Sequence, residues 1–310
     1  MIVYKELSSL TNDLGFSVKA LYSASNHISS HYHKAKILKK TGEYRELSVP
    51  DDFLKSIQKR IVEKLLVYEE VSPYATAYRY STSIIKNARV HLHNNTILKL
   101  DIRHFFDHII YPVVKEKAFP KEKYSEENRI LLSLLCLYHD ALPQGAPTSP
   151  IISNIIMKDF DNTVGAWCKS KKIRYTRYCD DMTFSGDFNI REVISFIKRE
   201  LGKMGFYLND AKTVVARSGQ KQIVTGIVVN DKLNTPLLYR KKLRQELYYC
   251  KKFGIASHLR QKSIDMSERE YILKLLGRVN FVLSVGQTNK EMQEYKSWLL
   301  DQNNLFITEK

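Results

Sequence analysis

No stretch of this chain limits its folding more than Tyr178-Cys179-Asp180-Asp181, which sits between two short runs that read as strands. Ile173-Arg174-Tyr175-Thr176-Arg177 precedes it and Met182-Thr183-Phe184-Ser185 follows it. Runs rich in β-branched and aromatic residues on both sides of a tight turn predict a hairpin that forces two carboxylates into one small volume. Like charges packed that closely are unfavourable unless a cation lies between them. Mg²⁺ suits such a pair, because it takes hard oxygen ligands, few of them from protein, and leaves room for phosphates. For the turn taken alone, an exposed acidic pair with no role is the alternative. A third acid, Asp101, ends the run Thr96-Ile97-Leu98-Lys99-Leu100. If that run pairs beside the hairpin, Asp101, Asp180 and Asp181 converge. They could then hold two divalent ions about 3.5–4 Å apart, the arrangement used for in-line phosphoryl displacement.

Bulk composition narrows the partner. The chain has 310 residues, room for two or three compact units, and its 44% hydrophobic residues allow sizeable cores. Lys and Arg number 49 against 33 Asp and Glu, a formal net charge of +16. A surplus of that size attracts polyanions, nucleic acid foremost, although membrane-surface proteins share the bias. Some of the 19 Tyr and 13 Phe are interleaved with Lys and Arg, which suits stacking on bases beside phosphate contacts. Most of the rings are expected in cores. Cys136, Cys168, Cys179 and Cys250 form no Cys-x-x-Cys pair and no zinc spacing with His, so free thiols in a reducing cytoplasm are expected. Met1-Ile2-Val3-Tyr4-Lys5-Glu6 is unlike a signal peptide, and the longest apolar stretch, Ile130 to Tyr138, is far short of a bilayer span. No membrane partner is expected.

Phe53, Leu54, Ile57, Ile61, Leu65 and Leu66 recur at helical spacing, and residues 36–47 before them predict a basic hairpin turning at Thr41-Gly42. Ser125 ahead of Glu126 and Glu127 predicts a capped helix start, and Ser149-Pro150 another. Leading into the latter, residues 142–150 form a stiff Pro- and Gly-containing loop able to present backbone and Gln144 to a base pair, with plain helix entry as the alternative. An amphipathic helix is expected over 189–205, then strands around Thr213–Arg217 and Gln222–Val229. From Pro236 onward the chain reads as helical and basic, with Arg240, Lys241, Lys242, Arg244, Lys251 and Lys252 beside Tyr239, Tyr248 and Tyr249.

Taken in order and spacing, Leu98-Lys99-Leu100-Asp101, Leu142-Pro143-Gln144-Gly145 and Tyr178-Cys179-Asp180-Asp181 resemble the palm motifs of reverse transcriptases. Residues 205–213 and 224–228 are similar to the motifs that follow them. Asn87-Ala88-Arg89-Val90-His91 and Val224-Thr225-Gly226 are similar to signatures of bacterial retron reverse transcriptases in particular. The resemblance covers roughly residues 36–230 plus the basic tail. It departs at Cys179, where retron enzymes usually carry Ala; Cys is small and uncharged, so tolerance is expected.

The resemblance implies an α+β right-hand polymerase fold: fingers at 1–95, a palm with an antiparallel sheet at 96–230 carrying an inserted fingers segment near 111–145, and a helical thumb at 231–310. It implies RNA-directed DNA synthesis with two Mg²⁺ ions (or Mn²⁺) on Asp101 and Asp180, with Asp181 as the third acid. Lys212 would meet the triphosphate and protonate pyrophosphate; as a residue after a turn, it could also be a plain solvated lysine. Phe106 would be the gate that rejects a 2′-hydroxyl, ordinary core being the alternative. Gln144 and Gly145 would contact the templating pair, and Arg45 with Lys39 or Lys40 would grip the dNTP triphosphate. Asn87 and His91 would lie near the structured RNA or priming site, or form a buried hydrogen-bonded pair. Thr225 and Gly226 would also meet RNA, or mark a bulged strand. Arg240, Lys241, Lys242 and Arg244 would recognise RNA phosphates.

The implied partners are a cognate non-coding RNA, its multicopy single-stranded DNA product, dNTPs, a host RNase H, and an effector encoded nearby that acts in antiphage defence. Rival readings are a group II intron-like or diversity-generating reverse transcriptase, and an RNA-binding scaffold that has lost its chemistry. The expected intact acids argue against the scaffold.

Overall fold

The computed structural model of the chain describes residues 3–38, 42–286 and 289–308, with side chains to residue 304. Its first elements are α1 (Leu7–Leu14), α2 (Val18–Asn26), β1 (Tyr32–Leu38), β2 (Tyr44–Pro50), α3 (Asp52–Lys64) and α4 (Ile84–Val90). Next come β3 (Thr96–Asp101), α5 (Tyr111–Lys117), α6 (Glu126–Cys136), α7 (Ser149–Ile156), α8 (Lys158–Ser170), β4 (Arg174–Tyr178) and β5 (Asp181–Gly186). The remainder is α9 (Ile190–Gly202), β6 (Val214–Arg217), β7 (Ile223–Val224), β8 (Ile227–Val228), α10 (Leu237–Phe253), α11 (Ile255–Gln261), α12 (Glu268–Val285) and α13 (Lys290–Thr308). This is an α+β fold.

Two compact units result, one of Met1–Ser83 with Thr96–Val215 and one of Ile84–Asn95 with Ala216–Lys310. The boundary expected after residue 95 falls at one of theirs, whereas the one expected after 230 lies at 215/216 and a further break comes at 83/84. Residues 84–95 and 216–230 group with the C-terminal helices because α4 lies against the β7–β8 hairpin.

In the first unit, α3 starts at Asp51, whose carboxylate accepts the Leu54 N–H at 2.8 Å, and Leu54, Ile57 and Ile61 form its buried stripe. Phe53, expected in that stripe, is instead 39% exposed and meets Phe16 edge-on. Ser125 caps α6 as expected, accepting the Asn128 N–H. The sheet order is β4-β5-β3-β6, with β3–β5 and β5–β4 antiparallel. Along the free edge of β4 runs the segment 74–77: Arg177 N–H donates to Tyr74 O and Thr76 N–H to Arg177 O, each at 2.8 Å. Strands β1 and β2 form a separate hairpin, as expected for the basic hairpin. Lys39, Lys40 and Thr41, among them the expected turn position Thr41, lie outside the described residues.

The stiff loop ahead of α7 is bonded to that hairpin. Ser48 N–H donates to Gln144 O at 2.9 Å, and the Ser149 hydroxyl donates back to Pro143 O at 2.7 Å. Gly145 has φ +135°, and a Cβ there would stand 2.6 Å from the Ser48 carbonyl oxygen. Only a residue without a side chain permits so close an approach of two backbones.

In the second unit, the single strand expected over Gln222–Val229 is a hairpin. Thr225 and Gly226 are its two turn residues, with φ of 46° and 82°, and Val224 pairs with Ile227. Positive φ at both central positions marks a type I′ turn, so a chain reversal stands where the alternative reading had a bulged strand at Gly226. Helices α10 to α13 bury Leu243, Leu247, Tyr271, Leu275, Val279 and Leu299 together. Among the described residues, no helix is long and apolar enough to cross a membrane.

Candidate active site

Strand β4 ends at Tyr178 and β5 begins at Asp181, its direct partner, so Cys179 and Asp180 alone make the turn. Cys179 takes φ +60° there. Glycine favours such a φ, and a residue with a Cβ holds it at a cost of about 1–2 kcal/mol. On the other side of β5, Asp101 pairs directly with Asp181. Side chains opposed in this way stand about 4.5–5.5 Å apart at Cβ. Ile102 N–H donates to Asp180 O at 3.0 Å, tying the end of β3 to the turn. Register therefore sets Asp101 opposite Asp181, beside the turn that carries Asp180.

A further segment brings in Lys212. Arg103 N–H bonds Tyr207 O and Asn209 N–H bonds Asp101 O, each at 2.8 Å, so residues 207–209 run beside the end of β3. The short 3-10 turn Asp210–Lys212 follows, and Lys212 Nζ donates to both Asp101 oxygens, at 3.1 and 3.0 Å. Burial raises the Asp181 carboxyl above the ordinary carboxylate range, the charges of Asp180 and Asp101 add to the rise, and Lys99 and Lys212 oppose it. Burial also pushes the Cys179 thiol up to about 12, so it is neutral and adds no charge to the acids.

These groups fit a divalent cation in kind. They are hard oxygen donors, crowded enough to destabilise one another, with an ammonium drawn onto one of them. They are not closed up as ligands: among the described residues no three His, Cys, Asp or Glu side chains are grouped to hold a metal, and Asp101 is turned to Lys212.

The acids open into a cleft of about 760 Å³ lined by Arg45, Phe106, Gln144, Asp101, Asp180, Asp181 and Lys212, among others. Arg45 is exposed on β2. Phe106 is half-buried against Phe105, so it is neither plain core nor free surface. Gly145 lies against Ser48 rather than in the cleft lining. Lys39 and Lys40 fall outside the described residues.

Asn87 and His91 are fully buried in the second unit and present no side chain to solvent. Asn87 Nδ2 donates to Thr225 Oγ1 at 3.4 Å, and that hydroxyl donates to Ile84 O at 3.0 Å. A β-branched residue at positive φ is a true outlier, and these bonds hold it there. The two retron-like signatures thus meet inside the protein; Gly226 at the turn is exposed. Lys241 and Lys242 are exposed on α10, Arg244 is paired with Glu291 at 2.7 Å, and Arg240 is half-buried.

Two participants escaped the sequence reading. Tyr78 lines the cleft at φ +56° with its hydroxyl on the Cys179 thiol. Arg177, fully buried, pairs at 2.6 Å with fully buried Asp161 behind the turn. An Arg at an inward position of a strand was the available signal, since a buried guanidinium needs an acid.

The family profile described as reverse transcriptase (RNA-dependent DNA polymerase) matches residues 37–229, more than half of the chain. The class is thereby RNA-directed DNA polymerase. The chain is 34% identical to the retron Ec83 reverse transcriptase of Escherichia coli over 225 residues, 66% of this chain and 71% of that one. It is 27% identical to the retron Ec86 reverse transcriptase of Escherichia coli over 269 residues, 83% and 82% of the two chains. With the retron Mx65 reverse transcriptase of Myxococcus xanthus it shares 31% over 270 residues, 79% and 63% of the chains. A telomerase structure from Candida albicans, with a fragment of telomeric RNA, gives a TM-score of 0.46 at 12% identity over 87% of this chain and 66% of that one. The chain belongs to the retron reverse transcriptases.

Proposed function

We propose that this polymerase copies part of a structured non-coding RNA that it binds itself. Synthesis starts from a 2′-hydroxyl of an internal guanosine and leaves a branched RNA–DNA hybrid, multicopy single-stranded DNA. The observation that carries the reading is the cross-strand pairing of Asp101 with Asp181 beside the Asp180 turn, in a cleft that Arg45, Phe106, Gln144 and Lys212 also line. Kinship with retron enzymes supports the choice of RNA and primer.

Two Mg²⁺ ions, or Mn²⁺, on Asp101, Asp180 and Asp181 would supply activation of the attacking hydroxyl and charge neutralisation at the leaving pyrophosphate. The chain's own groups do the rest. Lys212 leaves Asp101 for the triphosphate and holds a proton at Nζ for the departing pyrophosphate. Arg45 offers a planar fork to the same phosphates. Phe106 lies under the incoming sugar, and Gln144 meets the templating pair. Lys241 and Lys242 contact RNA phosphates, so RNA affinity falls steeply with salt. In the cell, a host RNase H trims the template, and hybrid and enzyme restrain a separate effector of antiphage defence.

The protein purified with its bound RNA and given dNTPs and Mg²⁺ should yield DNA that stays joined to RNA on denaturation and is released by a 2′,5′-debranching enzyme. DNA with a free 5′ end would rule out the branched product. For Phe106→Ala, ribonucleotide incorporation relative to deoxynucleotide should rise on the order of tenfold to a hundredfold, the range of a steric contact in a pocket. Unchanged discrimination in single-nucleotide extension would remove the gate role.

A further inference from the structure

The carbonyl of Cys179 belongs to the peptide that leads into Asp180, and the side chain of Arg177 holds it. The guanidinium donates from Nη1 to Cys179 O at 2.8 Å. From Nε it reaches both Asp161 oxygens at 2.9 and 3.1 Å, and from Nη2 it reaches Asp161 Oδ2 at 2.6 Å and Asn154 Oδ1 at 3.1 Å. The anchors are themselves fixed. Asp161 Oδ1 accepts the Tyr175 hydroxyl at 2.8 Å, and Asn154 Nδ2 donates to Ala77 O at 2.9 Å. Arg177, Asp161 and Asn154 are each at most 1% exposed. Helices α7 and α8, strand β4 and the segment ahead of Tyr78 thus share one rigid polar cluster, and the Asp180 turn hangs from it.

A buried ion pair is weak grounds for stability, since well-packed apolar side chains serve as well. What apolar side chains cannot do is grip a carbonyl. The turn needs such a grip, because Cys179 carries a Cβ at φ +60°, where the backbone is not held by its own preference. A planar fork clamped to Asp161 at one edge and to Cys179 O at the other fixes the plane of the Cys179–Asp180 peptide. The Asp180 Cα lies at the end of that plane and Ile102 N–H holds the following carbonyl, so the two peptides together fix where the Asp180 Cβ departs.

We propose that Arg177, anchored by Asp161 and Asn154, is a positioning residue for Asp180, holding the preceding peptide so that the carboxylate stays aimed at the cation shared with Asp101. This rests on the metal reading of the site given above.

The test is Mn²⁺ binding to the full-length protein, followed by electron paramagnetic resonance, with the unfolding midpoint and the Mg²⁺ dependence of DNA synthesis measured in parallel. Arg177→Lys keeps a positive charge beside Asp161, but one ammonium cannot span Asp161 and Cys179 O. Its Mn²⁺ Kd and its half-saturating Mg²⁺ should both rise about tenfold, the lower end of what loss of a supporting contact to a metal ligand costs. Asn154→Ala leaves the ion pair intact and should raise both by about two- to threefold, a partial loss of the same support. A folded Arg177→Lys protein with wild-type Mn²⁺ affinity overturns the proposal. If that variant does not fold, an unchanged Mn²⁺ Kd in Asn154→Ala does the same. Asp180→Asn run alongside separates the two readings. If it too keeps Mn²⁺ affinity, the metal reading itself is at fault; if it loses affinity while both positioning variants keep theirs, only the role of Arg177 falls.

Discussion

Asp180→Asn should reduce DNA synthesis by about a thousandfold or more while leaving RNA binding intact. The substitution is nearly isosteric and leaves the fold alone. Asp180 is half-exposed at a turn, and its bond with Ile102 runs through its backbone carbonyl, which asparagine retains. On the proposed reading, what is lost is one negative charge from the oxygen donors that would hold divalent cations. A metal acting on a phosphoryl group supplies several kcal/mol of transition-state stabilisation. At about 1.4 kcal/mol per tenfold, losing some 4 kcal/mol corresponds to a factor on the order of 10³. Incorporation of labelled dNTP into the co-purified RNA, with filter retention of that RNA as the control, measures both halves. Residual synthesis within tenfold of wild type would place the chemistry elsewhere.

The second large effect is expected at a residue that carries no functional group. Gly145→Ala would place a methyl 2.6 Å from the Ser48 carbonyl oxygen, at a φ of +135° that L-residues rarely adopt. Neither obstacle is the flexible end of a side chain, so either the loop or the β1–β2 hairpin must move. Strain of this kind costs of order 1–3 kcal/mol. The kinetic effect should be larger than that suggests, because the two displaced pieces carry Gln144 and Arg45 on the same cleft. A misplacement of about 1 Å at a reacting site can cost on the order of a hundredfold. The expected result is a fall in kcat/KM for dNTP of that order, with a lowered unfolding midpoint and RNA binding unchanged. Single-nucleotide extension over a range of dNTP concentrations measures it. Wild-type kcat/KM in Gly145→Ala would mean that the loop and hairpin are not a unit.

Much of the site was legible because its signals are local. The Asp180-Asp181 hairpin announces itself by β-rich runs around a two-residue turn, and Ser125 and Asp51 show how capping chemistry fixes helix starts from a few neighbouring residues. Other features are set by partners distant in sequence. Thr225-Gly226 reads as part of one strand because Thr favours strands; it reverses the chain because Ile84 and Asn87 hold its hydroxyl. Arg177 looks like an ordinary charged strand residue until Asp161, sixteen positions away, meets it in a dry interior. Gly145 shows no local sign of why a side chain is barred there; its need for glycine comes from Ser48, nearly a hundred residues earlier.

The order of residues alone singled out the candidate acids and the hairpin that bears two of them, since turn geometry and strand pattern are short-range properties of the chain. Only the tertiary structure decided which strand lies beside that hairpin and in what register, placing Asp101 opposite Asp181 and Lys212 on Asp101. Register is a long-range choice, made by which faces find burial together, and a shift of one residue would turn Asp101 to the opposite face.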